Sequence, residues 1–170
     1  YNTDYYASKE IIKKQKLSKK ARILVLGSGG VAKAILQSII DLKLTNIFLS
    51  SRNKNRFNKM KIKKKITFIQ WSERDKINCD VIINTTPLGM FGQYAKKIPI
   101  NISEKYYPKL IYDLPVNYKG NSLKDIADKN KIKYISGLES SYYQGIKQFE
   151  IYNNIKVNFK ILKKIGIFLN

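Results

Sequence analysis

Short apolar runs alternate with amphipathic stretches along most of this chain. Six runs are only a few residues long and rich in Ile, Val and Leu, which is typical of buried strands. They occupy residues 22–26, 46–50, 66–70, 80–84, 110–114 and 133–135. Apolar residues at helical spacing occupy 5–17, 31–42, 122–130, 140–152 and 157–168. This alternation predicts the α/β class, with a doubly wound parallel sheet of about six strands and helices on both faces.

Length and composition narrow the choice of protein class. The 170 residues are 44% hydrophobic, which is enough for one domain with a full core. No apolar run is long enough to span a membrane, and residues 1–10 lack the pattern of a signal peptide. The chain has no histidine, which excludes an imidazole base, and with one cysteine we expect no metal site. We expect Cys79 to be a buried, reduced thiol and the protein to be cytoplasmic.

The chain is strongly basic, with a formal net charge of +21. Only four of its 33 basic residues are arginines, and the lysines are spread along the whole chain together with Ile and Asn. This mixture is typical of an A+T-rich coding sequence, so we expect no specific nucleic-acid partner. A basic nucleic-acid binder stays an alternative, because such a charge attracts any polyanion.

A glycine-rich turn joins the first apolar run to the helix that follows it. Gly27, Gly29 and Gly30 stand where the dinucleotide-binding fingerprint of a Rossmann-like fold has its first glycines. Gly27 allows the tight turn, and Gly29 lets a pyrophosphate approach the backbone. Ala32 or Lys33 replaces the third glycine. The alternative is a glycine turn that only connects strand and helix.

The end of the second apolar run points to the kind of nucleotide. NAD-preferring domains carry an acidic residue there, whereas this chain has Ser51, Arg52 and Asn53, followed by Arg56. A guanidinium binds a phosphate through two hydrogen bonds, which an ammonium group cannot do in the same geometry. We therefore expect a clamp for a 2′-phosphate and NADP as the cofactor. The alternative is a pair of solvated loop arginines.

Several motifs then agree in order and spacing with one known family. They are Asn2-Thr3-Asp4, Gly27-Ser28-Gly29-Gly30-Val31-Ala32, Ser51-Arg52-Asn53-Lys54-Asn55-Arg56, Asn84-Thr85-Thr86-Pro87-Leu88-Gly89-Met90, Tyr112-Asp113-Leu114, and Gly137-Leu138 with Gln144. Together they resemble the shikimate dehydrogenase family (shikimate/quinate 5-dehydrogenases) over nearly all of the chain. The resemblance implies an oxidoreductase of chorismate and aromatic amino acid biosynthesis. Its reaction is the NADP-dependent, reversible reduction of 3-dehydroshikimate to shikimate.

The resemblance also assigns roles to residues. Asp4 matches the family aspartate that shares proton transfer with a lysine, and the substrate-binding residues are Asn2, Thr3, Asp4 and Gln144. The cofactor-binding residues are Gly27, Ser28, Gly29, Gly30, Val31, Ala32, Ser51, Arg52, Asn53, Arg56, Asn84, Thr85, Thr86, Pro87, Gly89, Met90, Gly137 and Leu138. From its position alone, Asp4 has an alternative role as the N-cap of the helix that follows it.

The family pattern also implies an interdomain junction near the start of this chain. The family lysine and a serine-rich substrate motif lie upstream of Asn-Thr-Asp, so we expect both to be missing here. We expect residues 1–20 to be the junction helix, 21–138 the NADP-binding domain, and 139–170 helices that pack toward an absent N-terminal substrate domain. Without that partner we expect negligible turnover, and exposure of Ile151, Phe159, Ile165 and Phe168 would favour a homo-oligomer.

The chain departs from the family pattern at several positions, including Ser136 in place of an aspartate. Val116 stands where the family has a tyrosine, and Ser140 where it has a methionine. Because of these changes, two alternatives stay open: weak activity, or another cyclic polyol, such as quinate, as the substrate. A non-catalytic NADP-binding or interaction module is the remaining alternative.

Overall fold

Six parallel strands form one sheet in the computed structural model, which describes residues 2–117, 120 and 122–157. The strands are β1 (Ile23–Leu26), β2 (Ile47–Ser51), β3 (Thr67–Gln70), β4 (Val81–Asn84), β5 (Leu110–Asp113) and β6 (Lys133–Ser136). Their order in the sheet is β3-β2-β1-β4-β5-β6. The doubly wound Rossmann-like α/β fold is therefore confirmed, and each strand matches its apolar run to within one residue at either end.

Within the described residues, five α-helices accompany the sheet. They are α1 (Thr3–Lys14), α2 (Gly30–Asp41), α3 (Lys54–Asn58), α4 (Ser122–Lys129) and α5 (Gly137–Asn153). Two 3₁₀ helices, Lys63–Lys65 and Trp71–Lys76, flank β3. The short α3 was not expected from the pattern, and α5 begins three residues earlier than predicted. The helix expected over 157–168 lies outside the described residues except for Val157, which is not helical.

The start of α1 corrects one expectation. Asn2 is the N-cap residue, because its side-chain oxygen accepts a hydrogen bond from the Tyr5 N–H at 2.9 Å. Asp4 already lies in the first turn, so its alternative role as N-cap is wrong. Its carboxylate there still interacts favourably with the helix dipole.

Helices cover both faces of the sheet. Successive side chains of a strand point to opposite faces, and in β1 the side chains on both faces are apolar. Ile23 and Val25 of β1 belong to the larger core, which α1, α2 and α5 cover. Leu24 and Leu26 point to the smaller core on the other face, where α4 packs. All four residues of β1 are buried, as expected for a central parallel strand.

Helix α1 packs against α2 and α5. Its Ile11 is fully buried, and the Tyr5 hydroxyl donates a hydrogen bond of 2.7 Å to Asp41 of α2. Ser8 and Ser38 join the same two helices through their hydroxyl groups at 3.1 Å. Residues 3–14 therefore share the core of the sheet, while the domain boundaries at 20 and 138 stay predictions.

The structure describes two of the residues whose burial or exposure was predicted, Cys79 and Ile151. Cys79 is buried, as expected. Ile151 is partly buried, whereas Phe149 and Tyr152 of the same helix are exposed. The other three residues expected at this surface, Phe159, Ile165 and Phe168, lie outside the described residues. None of the described helices combines the length and apolar character that a membrane crossing needs.

Candidate functional site

A cleft of about 450 Å³ opens at the carboxyl ends of β1, β2 and β4. Strand β1 pairs in parallel with β2 on one side and with β4 on the other, so the order in which successive strands are added to the sheet reverses between β1 and β4. The connections that follow β1 and β4 run to opposite faces of the sheet. The crevice between them is where ligands bind in open α/β sheets. The lining residues are Gly27, Ser28, Gly29, Ser51, Arg52, Asn53, Arg56, Trp71, Thr85, Thr86, Pro87, Leu88, Tyr94 and Lys97.

Gly27 makes the turn from β1 into this cleft. Its φ of +109° is a conformation that residues with a side chain rarely adopt. A Cβ at this position would lie 2.5 Å from Oγ1 of Thr85. The Thr85 hydroxyl itself donates a hydrogen bond of 2.6 Å to the Leu26 carbonyl oxygen. The glycine therefore lets the loops after β1 and β4 approach each other closely.

The N-terminus of α2 is open toward solvent. Gly29 caps the helix without a side-chain hydrogen bond, and the first turn contains no acidic residue. A Cβ built on Gly29 or Gly30 would meet no protein atom within 4 Å. Free N–H groups and the helix dipole make such an end favourable for an anion.

The loop after β2 adds two positive charges to the cleft. The Asn53 side chain caps α3 by accepting a hydrogen bond of 3.0 Å from the Arg56 N–H. Ser51 supports the loop through a hydroxyl contact of 3.3 Å with the Asn53 carbonyl. In the described part of the chain, no carboxylate oxygen lies within 4 Å of the Arg52 or Arg56 guanidinium. Both charges are therefore available to a ligand.

A buried polar network shapes the loop after β4. Asn84 and Asp113 are fully buried, and the Asn84 amide donates hydrogen bonds to Asp113 at 2.7 Å and to the Leu88 carbonyl at 3.0 Å. Its oxygen accepts from the Thr86 N–H at 3.0 Å and from the Thr86 hydroxyl at 2.7 Å. Burial and the neighbouring Asp113 raise the pKa of Tyr134, whose hydroxyl donates to Asp113 at 2.9 Å. The network fixes the backbone at Thr86 in the cleft wall.

Ten of the predicted cofactor residues line the cleft: Gly27, Ser28, Gly29, Ser51, Arg52, Asn53, Arg56, Thr85, Thr86 and Pro87. Eight others do not: Gly30, Val31, Ala32, Asn84, Gly89, Met90, Gly137 and Leu138. Ala32 is fully buried in the core, and Val31 packs against that core. Asn84 acts from beneath the loop.

Gly137 and Leu138 line a separate cleft of about 190 Å³ beyond β5 and β6. A Cβ on Gly137 would overlap the carbonyl oxygen of Leu114 and lie 2.7 Å from its carbonyl carbon. The close approach of α5 to the end of β5 explains this glycine without a ligand. Ser140, where the family has a methionine, accepts a hydrogen bond of 2.8 Å from the Tyr112 hydroxyl.

The predicted substrate residues come together from the two ends of the described chain. The Gln144 amide of α5 donates a hydrogen bond of 2.7 Å to Oδ1 of Asp4 in α1. Asn2 and Thr3 lie directly before Asp4, at the start of the same helix. A carboxylate held by an amide in this way can orient a hydroxyl or an ammonium group.

Four residues of the cleft wall were not among the predicted cofactor-binding residues: Trp71, Leu88, Tyr94 and Lys97. Leu88 lies inside the motif from Asn84 to Met90. Trp71 directly follows β3, and residues after the carboxyl end of a parallel strand belong to the ligand edge. That rule would have singled out Trp71. Tyr94 and Lys97 belong to a long irregular segment after β4, whose path leaves no local pattern in the sequence.

A second cleft, of about 510 Å³, lies at the opposite edge of the sheet. It is lined by residues 15–18, 20 and 21 together with Asp80, Val81, Lys109, Leu110 and Lys133. It is larger, but it lies at the amino ends of the strands, far from the glycine turn and the start of α2. We therefore assign the ligand site to the carboxyl edge. Among the described residues, no three Cys, Asp or Glu side chains are grouped as metal ligands.

Comparison with known proteins finds similarity to shikimate dehydrogenases both by sequence and by structure. No protein-family model matches the chain. A shikimate dehydrogenase (NADP(+)) of Clostridium perfringens is 35% identical over 162 residues, which cover 93% of this chain and 59% of that protein. A solved chorismate mutase/shikimate 5-dehydrogenase fusion protein from Clostridium acetobutylicum is 29% identical, with a TM-score of 0.81 over 96% of this chain and 60% of that one.

A quinate dehydrogenase from Corynebacterium glutamicum in complex with NAD also has a TM-score of 0.81, but its 12% identity shows the fold alone. The chain spans about 60% of the length of the shikimate dehydrogenases that it matches. By sequence and by fold, it is a relative of shikimate dehydrogenases and is similar to their C-terminal part.

Proposed function

We propose that this chain is the NADP-binding part of an enzyme of the shikimate dehydrogenase type, which reversibly reduces 3-dehydroshikimate to shikimate. The observation that carries the proposal is the cleft at the carboxyl edge. There the open N-terminus of α2 lines one cavity together with Arg52 and Arg56, whose guanidinium groups pair with no carboxylate of a described residue. The proposal places the enzyme in the cytoplasm, where a thiol such as Cys79 stays reduced.

The open N-terminus of α2 and the two arginines match the pyrophosphate and the 2′-phosphate of NADP, respectively. The pyrophosphate would lie at Gly29, where a Cβ would meet no protein atom within 4 Å and the first N–H groups of α2 point out of the helix. The 2′-phosphate would lie between Arg52 and Arg56. An acidic residue that would accept a ribose 2′-hydroxyl is absent from this loop, which favours NADP over NAD.

The substrate side of the proposal rests on Asp4 and Gln144. Bound NADP would supply or accept the hydride. Oδ1 of Asp4 accepts the Gln144 hydrogen bond, and Oδ2 accepts none from a described residue, so Oδ2 can hold the proton donor beside the reacting oxygen. In this proposal, that donor is a lysine of an N-terminal substrate domain, and α5 from residue 139 onward packs toward that domain.

Calorimetric titration with NADP and with NAD tests the cofactor assignment. A charge-assisted hydrogen bond contributes about 1.5–3 kcal/mol, so Arg52→Ala should weaken NADP binding roughly 10- to 100-fold. Its affinity for NAD should hardly change. Arg22→Ala is the matched control, because Arg22 lies at the amino end of β1, at the opposite edge of the sheet.

Each outcome of this titration decides between the candidates. Equal losses for NADP and NAD in the Arg52 variant would contradict the 2′-phosphate clamp. Failure of the wild-type chain to bind either nucleotide would favour the non-catalytic interaction module. Oxidation of shikimate by residues 1–170 alone would contradict the need for a lysine from another domain.

A further inference from the structure

Trp71 lies beside the arginine loop at the carboxyl edge of the sheet. In the pairing of β2 with β3, Ser51 is opposite Gln70. Arg52 and Trp71 are therefore the first residues beyond the sheet on two neighbouring strands, and both line the cleft. Trp71 is partly buried and packs against the smaller core, and it also lines the cavity.

A cation holds the indole in this position. The Arg74 guanidinium carbon lies 4.2 Å from the centre of the Trp71 ring. The same guanidinium donates hydrogen bonds of 2.6 Å to the carbonyl oxygens of Trp71 and Pro99. Its side chain is only 15% exposed. A cation over an indole is attracted by the ring quadrupole, so Trp71 is oriented before any ligand arrives.

The segment that follows β4 is attached to the same short helix. Asp75 accepts hydrogen bonds from the Asn101 backbone N–H at 3.2 Å and from its side-chain amide at 2.9 Å. Together with the bond from Arg74 to Pro99, these contacts fix the 3₁₀ helix Trp71–Lys76 against residues 99–101. The wall that carries Trp71 is therefore tied to two separate parts of the chain.

We infer that Trp71 is the stacking surface for the adenine ring of the bound nucleotide, an inference that rests on the proposed function. If Arg52 and Arg56 hold the 2′-phosphate, the ribose that carries this phosphate lies beside them. Its base then lies within one sugar of the arginine loop, where Trp71 offers a flat, pre-oriented aromatic ring. Stacking on an aromatic side chain favours any purine and needs no hydrogen-bond readout.

Tyr94 is the other aromatic residue of the described cleft wall, and it provides a control. It belongs to the segment after β4, where the Gly89 N–H donates a hydrogen bond of 2.9 Å to the Tyr94 carbonyl. Its ring is accompanied by Lys97, whose amino nitrogen lies 5.3 Å from the ring centre. Tyr94 belongs to the loop after β4, whereas Arg52 directly follows β2, which lies two strands from β4 in the sheet.

The chain contains one tryptophan and 12 tyrosines, so tryptophan emission reports on Trp71 alone when the tyrosines are not excited. Adenosine 2′,5′-bisphosphate should change this emission and saturate at the affinity that calorimetry gives for the same compound. Nicotinamide mononucleotide, which lacks the adenine, should leave the emission unchanged. An emission change with nicotinamide mononucleotide but not with the bisphosphate would overturn the inference.

Side-chain variants test the affinity directly. Trp71→Leu should weaken binding of adenosine 2′,5′-bisphosphate roughly 5- to 100-fold, and Trp71→Phe should restore most of it. Tyr94→Leu should bind the bisphosphate as the wild type does. The opposite ranking, with Tyr94→Leu weakened and Trp71→Leu unchanged, would place the adenine on the other wall.

Failure of this inference and failure of the proposed function give different results. If NADP binds in calorimetry, depends on Arg52, and yet leaves the Trp71 emission unchanged, the adenine assignment is wrong and the proposed function stands. If NADP does not bind at all, both fail. The fluorescence experiment uses the wild-type chain, so it decides the question even if a Trp71 variant does not fold.

Discussion

The two glycines at the turn after β1 should respond very differently to the same substitution. Gly27→Ala forces a side chain into a φ of +109°, which costs about 1–3 kcal/mol in strain. It also places a Cβ 2.5 Å from Oγ1 of Thr85, and overpacking of this kind costs a further 1–3 kcal/mol or so. Gly29→Ala meets no protein atom within 4 Å and starts from an ordinary φ of −78°, so it should cost less than about 1 kcal/mol.

Urea unfolding followed by circular dichroism measures these costs. We expect Gly27→Ala to lower the free energy of unfolding by about 2–6 kcal/mol, a large part of a typical total of about 5–15 kcal/mol. Gly29→Ala should keep nearly wild-type stability but lose nucleotide affinity, because its Cβ would stand where the pyrophosphate approaches. The pair therefore separates the glycine that the fold needs from the glycine that the ligand needs.

A double-mutant cycle separates the steric part from the strain. Thr85→Ala removes the clashing hydroxyl and one hydrogen bond to the Leu26 carbonyl, which still accepts the Thr85 N–H at 2.9 Å. It should cost about 1 kcal/mol alone and recover about 1–3 kcal/mol in the Gly27→Ala background. A coupling energy near zero would refute the close approach of the two loops. So would a Gly29→Ala variant less stable than Gly27→Ala.

Two further predictions concern positions outside the cleft. Gly137→Ala should lower the free energy of unfolding by at least about 1–3 kcal/mol, because its Cβ would overlap the Leu114 carbonyl; wild-type stability in urea unfolding would contradict this contact. Burial raises the pKa of the Cys79 thiol to about 12, so a thiol reagent should label it only after unfolding, and labelling of the folded chain at neutral pH would show that it is accessible. The thiol of the unfolded chain has a pKa near about 8.5, well below that of the buried thiol in the folded chain. The stability that the buried, protonated thiol contributes should therefore be lost as pH rises from about 8.5 to 12, and the stability difference between the wild type and Cys79→Ala should change over that range only.

Local patterns in the sequence were enough to predict the sheet and the glycine turn. Each apolar run carries its own preference for a strand, and alternation with helices requires parallel neighbours with right-handed connections. Gly27 and Arg52 could be placed at the ligand edge because both follow such a run within two residues. The start of α1 was harder to predict, because Asn2 and Asp4 are both good N-cap residues and only the hydrogen bond to Tyr5 distinguishes them.

The contacts that complete the site connect residues distant in sequence. Asp4 and Gln144 are 140 residues apart, and they meet because α1 and α5 pack side by side on one face of the sheet. Asp113 contacts Asn84 because β4 and β5 pair with these two residues in register. Trp71 faces the cleft because β3 pairs with β2. The sequence by itself thus determined the elements and the chemistry at their ends, since these depend on neighbouring residues. Only the tertiary structure decided which ends meet, because strand register and helix packing depend on the whole core.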